Sequence, residues 1–272
     1  MSSKFGKAFK LNRVVSGTPY THYELGGRII RAVPTMNGDT YREPVTGTRT
    51  LDILKQTGVV PGIDFTMNIK RLEDYITTYA MITAQGAVPA HSLGYTDGYE
   101  QNEFAQSKVD RCNIVVRRGE SIKAELSVLA EDLDTFSPAT FLYHTEKAMM
   151  WNDATLNIDG SITNWREFAF GVNNNVVAEF LGVGLTPSEV EELEALYSGY
   201  AIISRKVDSK FATVKEGSDV SIAIALTDHQ TSPVTKNFVF ADSILKISRV
   251  EVAGLGLELE RIEWEAPGLV IS

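Results

Sequence analysis

The stretch I-T-N-W-R-E-F-A-F-G-V-N-N-N-V-V-A-E-F, residues 162–180, gives the clearest β signal in the chain. Two runs rich in aromatic and β-branched residues flank three asparagines at 173–175, and asparagine tolerates positive φ and bonds its own backbone in turns. We therefore predict a β-hairpin that turns at these asparagines. In its first strand, bulky residues alternate with small ones: Phe168, Phe170 and Val172 with Ala169 and Gly171. One face of the strand is nearly bare, which is typical of a strand that its neighbours approach closely.

The composition is that of a globular protein with a sizeable core. The chain has 272 residues, of which 43% are hydrophobic and 22% charged, and this length fits one large β domain or two small ones. It has no run of roughly 18 apolar residues that would span a membrane. Residues 1–10 carry lysines without an apolar segment, so we expect no secretory signal. The single cysteine, Cys112, excludes an internal disulfide framework and is expected to be a small buried hydrophobe in a reducing compartment.

The charge balance argues against a protein that binds nucleic acid through phosphate contacts. The formal net charge is −9 and lysine and arginine are scattered along the chain, whereas phosphate-binding proteins concentrate basic residues. Acidic residues concentrate at 189–194 and 258–265. We predict that these runs form solvated faces; in the alternative interpretation some of them line a channel and repel a polyanion that passes through it.

Period-two alternation predicts strands along most of the chain. The clearest cases are Ile63–Ile69 and a hairpin at Val109–Asp132 that turns at 118–120, with Ile114 and Val116 on one strand and Ile122 and Ala124 on the other. A short strand closed by the turn residues Asp159 and Gly160 leads into residues 162–180. Further strands are predicted at 155–158, 200–206, 219–227, 236–240, 245–257 and 261–272, the last broken at 266–268.

Three helices are predicted beside these strands. Thr50–Gly58 and Leu72–Ala80 show caps or apolar residues at helical spacing. The third, Leu185–Gly199, has a threonine cap at Thr186, a proline at the first helical position and a glycine at its end. It therefore has the fullest set of helix signals in the chain.

The remaining segments are rich in glycine and proline. Residues 1–48 are predicted to be an N-terminal arm with long loops around one or two strands, and residues 87–107 to be a long exposed loop that carries Tyr95 and Tyr99. Residues 49–272 form the predicted β domain. It contains two similar halves, about 59–132 and 151–272, which indicates internal duplication of a β unit with one flanking helix.

The sequence predicts no catalytic centre. The four histidines, His22, His91, His144 and His229, lie far apart and mostly in predicted loops, so we expect solvated side chains rather than ligands. Paired metal-ligand spacings, nucleophile elbows and phosphate-binding loops are absent from the sequence. We therefore predict no catalytic, cofactor-binding or metal-binding residues and no enzyme activity.

Several local patterns together resemble tail tube proteins, the major tail proteins of tailed bacterial and archaeal viruses. The resemblance rests on W-N-D-A-T-L-N-I-D-G at 151–160 and on the stretch that ends V-N-N-N-V-V. It also rests on V-D-R-C-N-I-V-V-R-R-G-E-S-I-K-A-E-L-S-V at 109–128 and on R-I-E-W-E-A-P-G-L-V-I at 261–271. These segments span most of residues 63–271.

The resemblance implies a mainly β fold, a β-sandwich or partial barrel with one or two flanking α-helices. It further implies sixfold rings whose inner strands join into a continuous barrel, and stacked rings that conduct DNA without binding it specifically. Terminator and tape-measure proteins would be partners, and no cofactor or membrane is implied. The protein would assemble in the host cytoplasm and reside in the virion tail.

The resemblance assigns two groups of residues. The ring-forming or inner-barrel strands would contain Trp165, Phe168, Phe170, Val172, Asn174, Val176, Ile114, Val116, Ile122 and Ala124. Tyr95 and Tyr99 would lie on a loop between rings. Two alternatives remain open: a capsid-type virion protein, or a β-sandwich carbohydrate-binding module that uses the two tyrosines as an exposed platform. A β-rich hydrolase would need paired carboxylates that no spacing identifies.

Overall fold

The fold is mainly β. A computed structural model describes residues 10–15, 21–44, 51–81, 88–96, 101–135, 140–180, 186–253 and 257–272. The strands up to residue 142 are β1 (Lys10–Val15), β2 (Thr21–Tyr23), β3 (Gly27–Pro44), β4 (Leu51–Ile69), β5 (His91–Thr96), β6 (Gln101–Arg117), β7 (Lys123–Leu129), β8 (Asp132–Thr135) and β9 (Thr140–Leu142).

The strands of the second half follow from residue 154. They are β10 (Ala154–Ile158), β11 (Ser161–Ile162), β12 (Trp165–Asn173), β13 (Val176–Glu179), β14 (Glu189–Glu192), β15 (Leu196–Ser204), β16 (Val220–Thr227), β17 (Thr235–Ala253), β18 (Leu257–Ala266) and β19 (Val270–Ile271). The helical segments in the described part are short: a π-helical turn at Ile76–Ala80, a 3-10 turn at Trp151–Asp153, α1 (Arg205–Asp208) and α2 (Phe211–Glu216).

A central antiparallel sheet of eight strands organises the molecule. Its order is β3-β4-β7-β6-β12-β15-β18-β17. Two smaller sheets adjoin it: β9-β2-β1-β5-β6-β8 and β11-β10-β16-β17-β19. Strands β6 and β17 each begin in a smaller sheet and continue into the central one, so they connect the layers.

The core lies between the central sheet and the smaller sheets. On the second half, the ring of Phe170 in β12 lies 5.0 Å from that of Phe238 in β17, and Phe240 lies 6.2 Å from Trp264 in β18. All four side chains are buried. Because burying one large apolar side chain contributes roughly 1.5–3 kcal/mol, these contacts hold the second small sheet against the central one.

The strands predicted from alternating apolar and polar residues are confirmed where one face of the strand is buried. Ile63, Phe65, Met67 and Ile69 alternate with more exposed residues in β4. The predicted hairpin at 109–132 is the pair β6 and β7. The turn at Asp159 and Gly160 joins β10 to β11, and both residues have positive φ. Cys112 is buried and forms no disulfide, and burial raises the pKa of its thiol.

The predicted hairpin at 162–180 is wrong. Strand β12 pairs with β6 and β15, whereas β13 pairs with β14 in a separate two-stranded sheet. The reason lies in Asn174, which is buried and whose side-chain amide donates to the carbonyl oxygens of Val109 (2.8 Å) and Ala80 (3.2 Å). Asn175 follows with a φ of 49°. The asparagines thus lead the chain out of the central sheet instead of reversing it.

Two of the three predicted helices are strands. The described part of 50–58 belongs to β4, which pairs with β3 as far as Leu51. Within 185–199, residues Glu189–Glu192 form β14, and β15 begins at Leu196. Pairing of β14 with β13 overrides the local helix propensity there. Leu193 and Leu196, which a helix would place on one buried stripe with Val190, are more than half exposed. At 72–80 the apolar residues Leu72, Tyr75, Ile76 and Ala80 are buried and Tyr79 is half-buried, but the described helix is the π-helical turn Ile76–Ala80.

Two regions contain more strands than the sequence predicts. Within 87–107, β5 and the start of β6 form an antiparallel pair. The first 48 residues contribute β1, β2 and β3, and β1 pairs with both β2 and β5. Glycines and prolines obscured these strands in the sequence, since hydrogen bonding on both sides of β1 and β5 compensates for weak local strand signals. The helices α1 and α2 were not predicted, and both lack buried residues.

The same set of strand pairings occurs twice in the chain. In the first half β1 pairs with β2 and β5, and β6 pairs with β5 and β8 before it enters the central sheet beside β7. In the second half β10 pairs with β11 and β16, and β17 pairs with β16 and β19 before it enters beside β18. This repeat begins at β1, ahead of the predicted first half at residue 59.

A four-residue bend marks the repeat at the level of side chains. The segments F-A-Q-S at 104–107 and F-A-D-S at 240–243 lie where β6 and β17 leave the smaller sheets. Gln106 and Asp242 both have a φ of 49°. The buried hydroxyls of Ser107 and Ser243 each donate to the carbonyl oxygen three residues earlier, at 2.7 and 3.1 Å. The two halves therefore share one architecture.

Candidate functional site: the polar face and the open edges of the central sheet

One face of the central sheet points away from the core, and we call it the polar face. Register-matched neighbours place its residues side by side across the strands, for example Arg117, Glu167 and Ile202. Its basic residues include Arg28, Arg31, Arg111, Arg117, Lys123, Lys246 and Arg261. Its acidic residues include Asp64, Glu125, Glu167, Glu263 and Glu265.

A chain of polar contacts crosses four adjacent strands of this face. Arg117 Nε in β6 donates to Glu167 Oε2 in β12 at 2.8 Å. Tyr200 in β15 donates its hydroxyl proton to Glu167. The Arg261 guanidinium lies 4.0 Å from the centre of the Tyr200 ring and donates to Glu263 at 3.0 Å. Single exposed ion pairs contribute little, but this network fixes the side chains of the face relative to one another.

The network shifts two pKa values in opposite directions. Burial raises the pKa of Glu167, but the hydrogen bonds from Tyr200 and Arg117 outweigh burial and leave that pKa below its ordinary value. Burial, together with the hydrogen bond to Glu167, raises the pKa of Tyr200 to about 12. Near neutral pH the pair is therefore an ionised carboxylate and a neutral phenol.

The Tyr200 phenol is expected to titrate at about pH 12. Since the unfolded pKa of tyrosine is about 10, the stability that this phenol contributes is complete below that pH and is lost as pH rises through the folded pKa. Carbon-13 NMR of labelled tyrosine measures the midpoint. Glu167→Gln should lower it, whereas Glu265→Gln, on the same face, should leave it unchanged. An unaltered midpoint in Glu167→Gln would contradict the assigned hydrogen bond.

The central sheet has two long open edges in the described part of the chain. Strand β3 pairs with β4 alone, and the part of β17 from Ile244 onwards pairs with β18 alone. Large apolar side chains are exposed on both edges: Ile30, Val33 and Met36 on β3, and Ile244 on β17. Unpaired backbone donors and acceptors beside exposed apolar groups form a template for pairing with another strand.

The residues predicted for ring-forming strands point mainly into the core. The buried ones are Phe168, Phe170 and Val172 in β12, Ile114 and Val116 in β6, Ile122 just before β7, and Ala124 in β7. Trp165 is half-buried. They lie on three adjacent central strands, but on the side opposite the polar face. Asn174 follows the last residue of β12, and Val176 lies in β13, which pairs with β14 in the separate sheet.

Tyr95 does not lie on an exposed loop. It is in β5 with 7% of its surface exposed, and Tyr99 lies outside the described residues. Tyr95 alternates with Gly94 and faces the core with Leu93. The prediction of an exposed pair of tyrosines is therefore wrong for Tyr95.

Two histidines are buried, contrary to prediction. His22 lies in β2, and His91 in β5 is within 2.6 Å of the Tyr75 hydroxyl. Burial lowers the pKa of His91 to about 4. His144 and His229 contact Asp74 and Asp153. Among the described residues no cluster of His, Cys, Asp and Glu is arranged to hold a metal ion, and no described helix is long and apolar enough to cross a membrane.

Sequence reasoning missed the polar face. Arg117, Glu167, Tyr200 and Arg261 are the alternate residues of strands whose apolar positions were recognised, so the same period-two pattern contains them. Only the strand register brings them together across the sheet. Comparisons with known proteins do not assign this site a function, since no family model and no curated protein matches the chain.

Proposed function

We propose that copies of this chain join through their central sheets into closed sixfold rings, and that stacked rings form a viral tail tube through which the genome passes. The observation that carries this proposal is the central sheet, with one buried face, one polar face and two long open edges in the described part. A ring of such sheets forms a continuous β-barrel. The polar face then lines its lumen.

The open edges support assembly. A long edge strand with exposed apolar residues is an aggregation hazard unless it is covered, and soluble monomers shorten or charge such edges. Strand β3 carries Arg28 and Arg31, but it is long, spanning Gly27–Pro44, and it exposes Met36. If the copies join edge to edge into a closed barrel, both open edges are covered, because every central strand then has a neighbour on each side.

The polar face supports passage without binding. Basic and acidic residues are interspersed on this face in the described part, so its lining would not be acidic throughout. Arg117, Arg261 and Lys246 each lie within 3.1 Å of a carboxylate oxygen. Pairing neutralises these cations locally and reduces their attraction for phosphates. Of the two acidic runs considered from the sequence, 258–265 supplies Glu263 and Glu265 to this face, whereas residues 189–192 lie on β14, outside the central sheet.

The rest of the proposal follows the resemblance to tail tube proteins. Terminator and tape-measure proteins are the proposed partners at the ends and in the lumen of the tube, and the virion tail is the proposed location. The tube needs no cofactor. The carbohydrate-binding alternative loses support because Tyr95 is buried and is not available as a platform.

Electron microscopy of the purified chain over a range of concentrations and salt tests the proposal. We expect annular particles and tubes, and sedimentation velocity should show a matching shift from monomers to rings. Closed shells would favour the capsid alternative. Monomers under every condition, particularly with binding to a glycan array, would reject the tube.

A further inference from the structure

The repeat makes β6 equivalent to β17 and β3 equivalent to β12. Strands β6 and β17 carry the matching bends and each precedes its hairpin partner, β7 or β18. Strands β3 and β12 match through irregularities in their pairing with the next strand: the register shifts between Ile29 and Arg31 in β3 and between Trp165 and Glu167 in β12. These bulges align the two strands.

The pairing of β6 with β12 is therefore a junction between two repeat units within one chain. It is antiparallel and runs from Glu167 opposite Arg117 to Asn173 opposite Arg111. At each open edge the equivalent pairing is missing. Strand β3 is equivalent to β12, but it has no strand beside it in the place where β12 has β6. The end of β17 is equivalent to the end of β6, but it has no strand in the place where β6 has β12.

Exposure of matched residues identifies the missing neighbour. Aligned on the bulges, Pro34 and Met36 of β3 correspond to Phe170 and Val172 of β12. The two β12 residues are buried beside β6, whereas Pro34 is exposed and Met36 is 59% exposed. A strand equivalent to β6 would cover them. In the described part that strand is β17, whose end has one unpaired edge.

We infer that β17 of one copy pairs antiparallel with β3 of the next copy, in the manner of β6 and β12. This inference rests on the proposed ring and sets its stoichiometry: the six positions of the sixfold ring are six repeat units, and three chains supply them. Each chain contributes eight strands to the barrel, four from each half. Ring junctions then alternate between internal pairs and pairs between copies.

The junction between copies is the weaker of the two. Pro34 removes one backbone donor from β3, as proline in an edge strand does. Glu167, which binds Arg117 across the internal junction, is replaced by Arg31 at the matched position of β3. Rings should therefore dissociate into folded chains in which the junction between β6 and β12 stays intact.

Native mass spectrometry and rotational analysis of electron micrographs test this stoichiometry. We expect rings of three chains, each of 30.0 kDa, with six similar lobes. Rings of six chains would overturn the inference while leaving the tube function intact. A chain that forms no ring under any condition would overturn both.

A pair of variants tests the proposed edge. Met36→Glu places a charge where β17 would cover β3, so at least a tenfold higher concentration should be needed for ring formation. Since Met36 is exposed in the single chain, its thermal unfolding should stay unchanged. Val270→Glu, at an equally exposed position on β19, should form rings normally. Unimpaired rings from Met36→Glu, or equal impairment of both variants, would refute the edge assignment.

Discussion

Replacing Phe168 with aspartate is expected to abolish the fold and, with it, any assembly. Phe168 lies in β12 with 0% of its surface exposed, and its ring is 4.9 Å from that of Trp165. Removing a buried phenylalanine side chain alone costs about 3–5 kcal/mol, and an unpaired buried carboxylate adds a further penalty. Since domains are stable by only about 5–15 kcal/mol, the loss approaches or exceeds the total.

Soluble yield and circular dichroism measure this outcome. Phe168→Leu serves as the matched control, because it keeps an apolar side chain at the same position and should remain folded with a lower unfolding midpoint. A soluble Phe168→Asp protein that still forms tubes would show that Phe168 is not part of the core that supports the ring-forming sheet.

Gly171→Ala is expected to destabilise the junction between the two halves. A Cβ at this position would lie 2.2 Å from the carbonyl oxygen of Cys112 and 2.9 Å from the Cα of Asn113, both backbone atoms of β6. The strands must separate to accommodate it, and overpacking of this kind costs about 1–3 kcal/mol. Urea unfolding should show the loss as a lower midpoint.

Gly268→Ala is the control for this substitution. A Cβ at Gly268 meets no atom within 4 Å, so its midpoint should match that of the unaltered protein. Equal midpoints for Gly171→Ala and Gly268→Ala would contradict the close approach of β12 to β6. A large loss in both variants would point to backbone flexibility instead of packing.

The sequence predicts strands well where one face is buried. Ile63, Phe65 and Met67 alternate with polar residues because burial selects every second side chain in β4. The bare face of β12 was also predicted, and Gly171 shows its physical cause in the approach of β6. These features depend on local pattern and need no knowledge of distant partners.

Partners distant in sequence determine what could not be predicted. Residues 185–199 carry helix caps, yet Glu192 accepts hydrogen bonds from Lys108 at 2.8 Å and from the backbone of Val88 at 3.1 Å. Asn174 is buried because Val109 and Ala80 supply acceptors for its amide. Neither contact can be read from neighbouring residues, and the polar face likewise exists only once the register is set.

The internal junction between β6 and β12 also bears on the kinetics of ring growth. This junction forms when the chain folds, so it requires no encounter between molecules and is independent of protein concentration. A ring of three chains forms in two encounters between molecules, whereas a ring of six single-unit subunits would need five. Tethering two units also holds them at a high effective concentration. The rate of tube nucleation should therefore depend on protein concentration with a reaction order below six, the number of lobes in the ring.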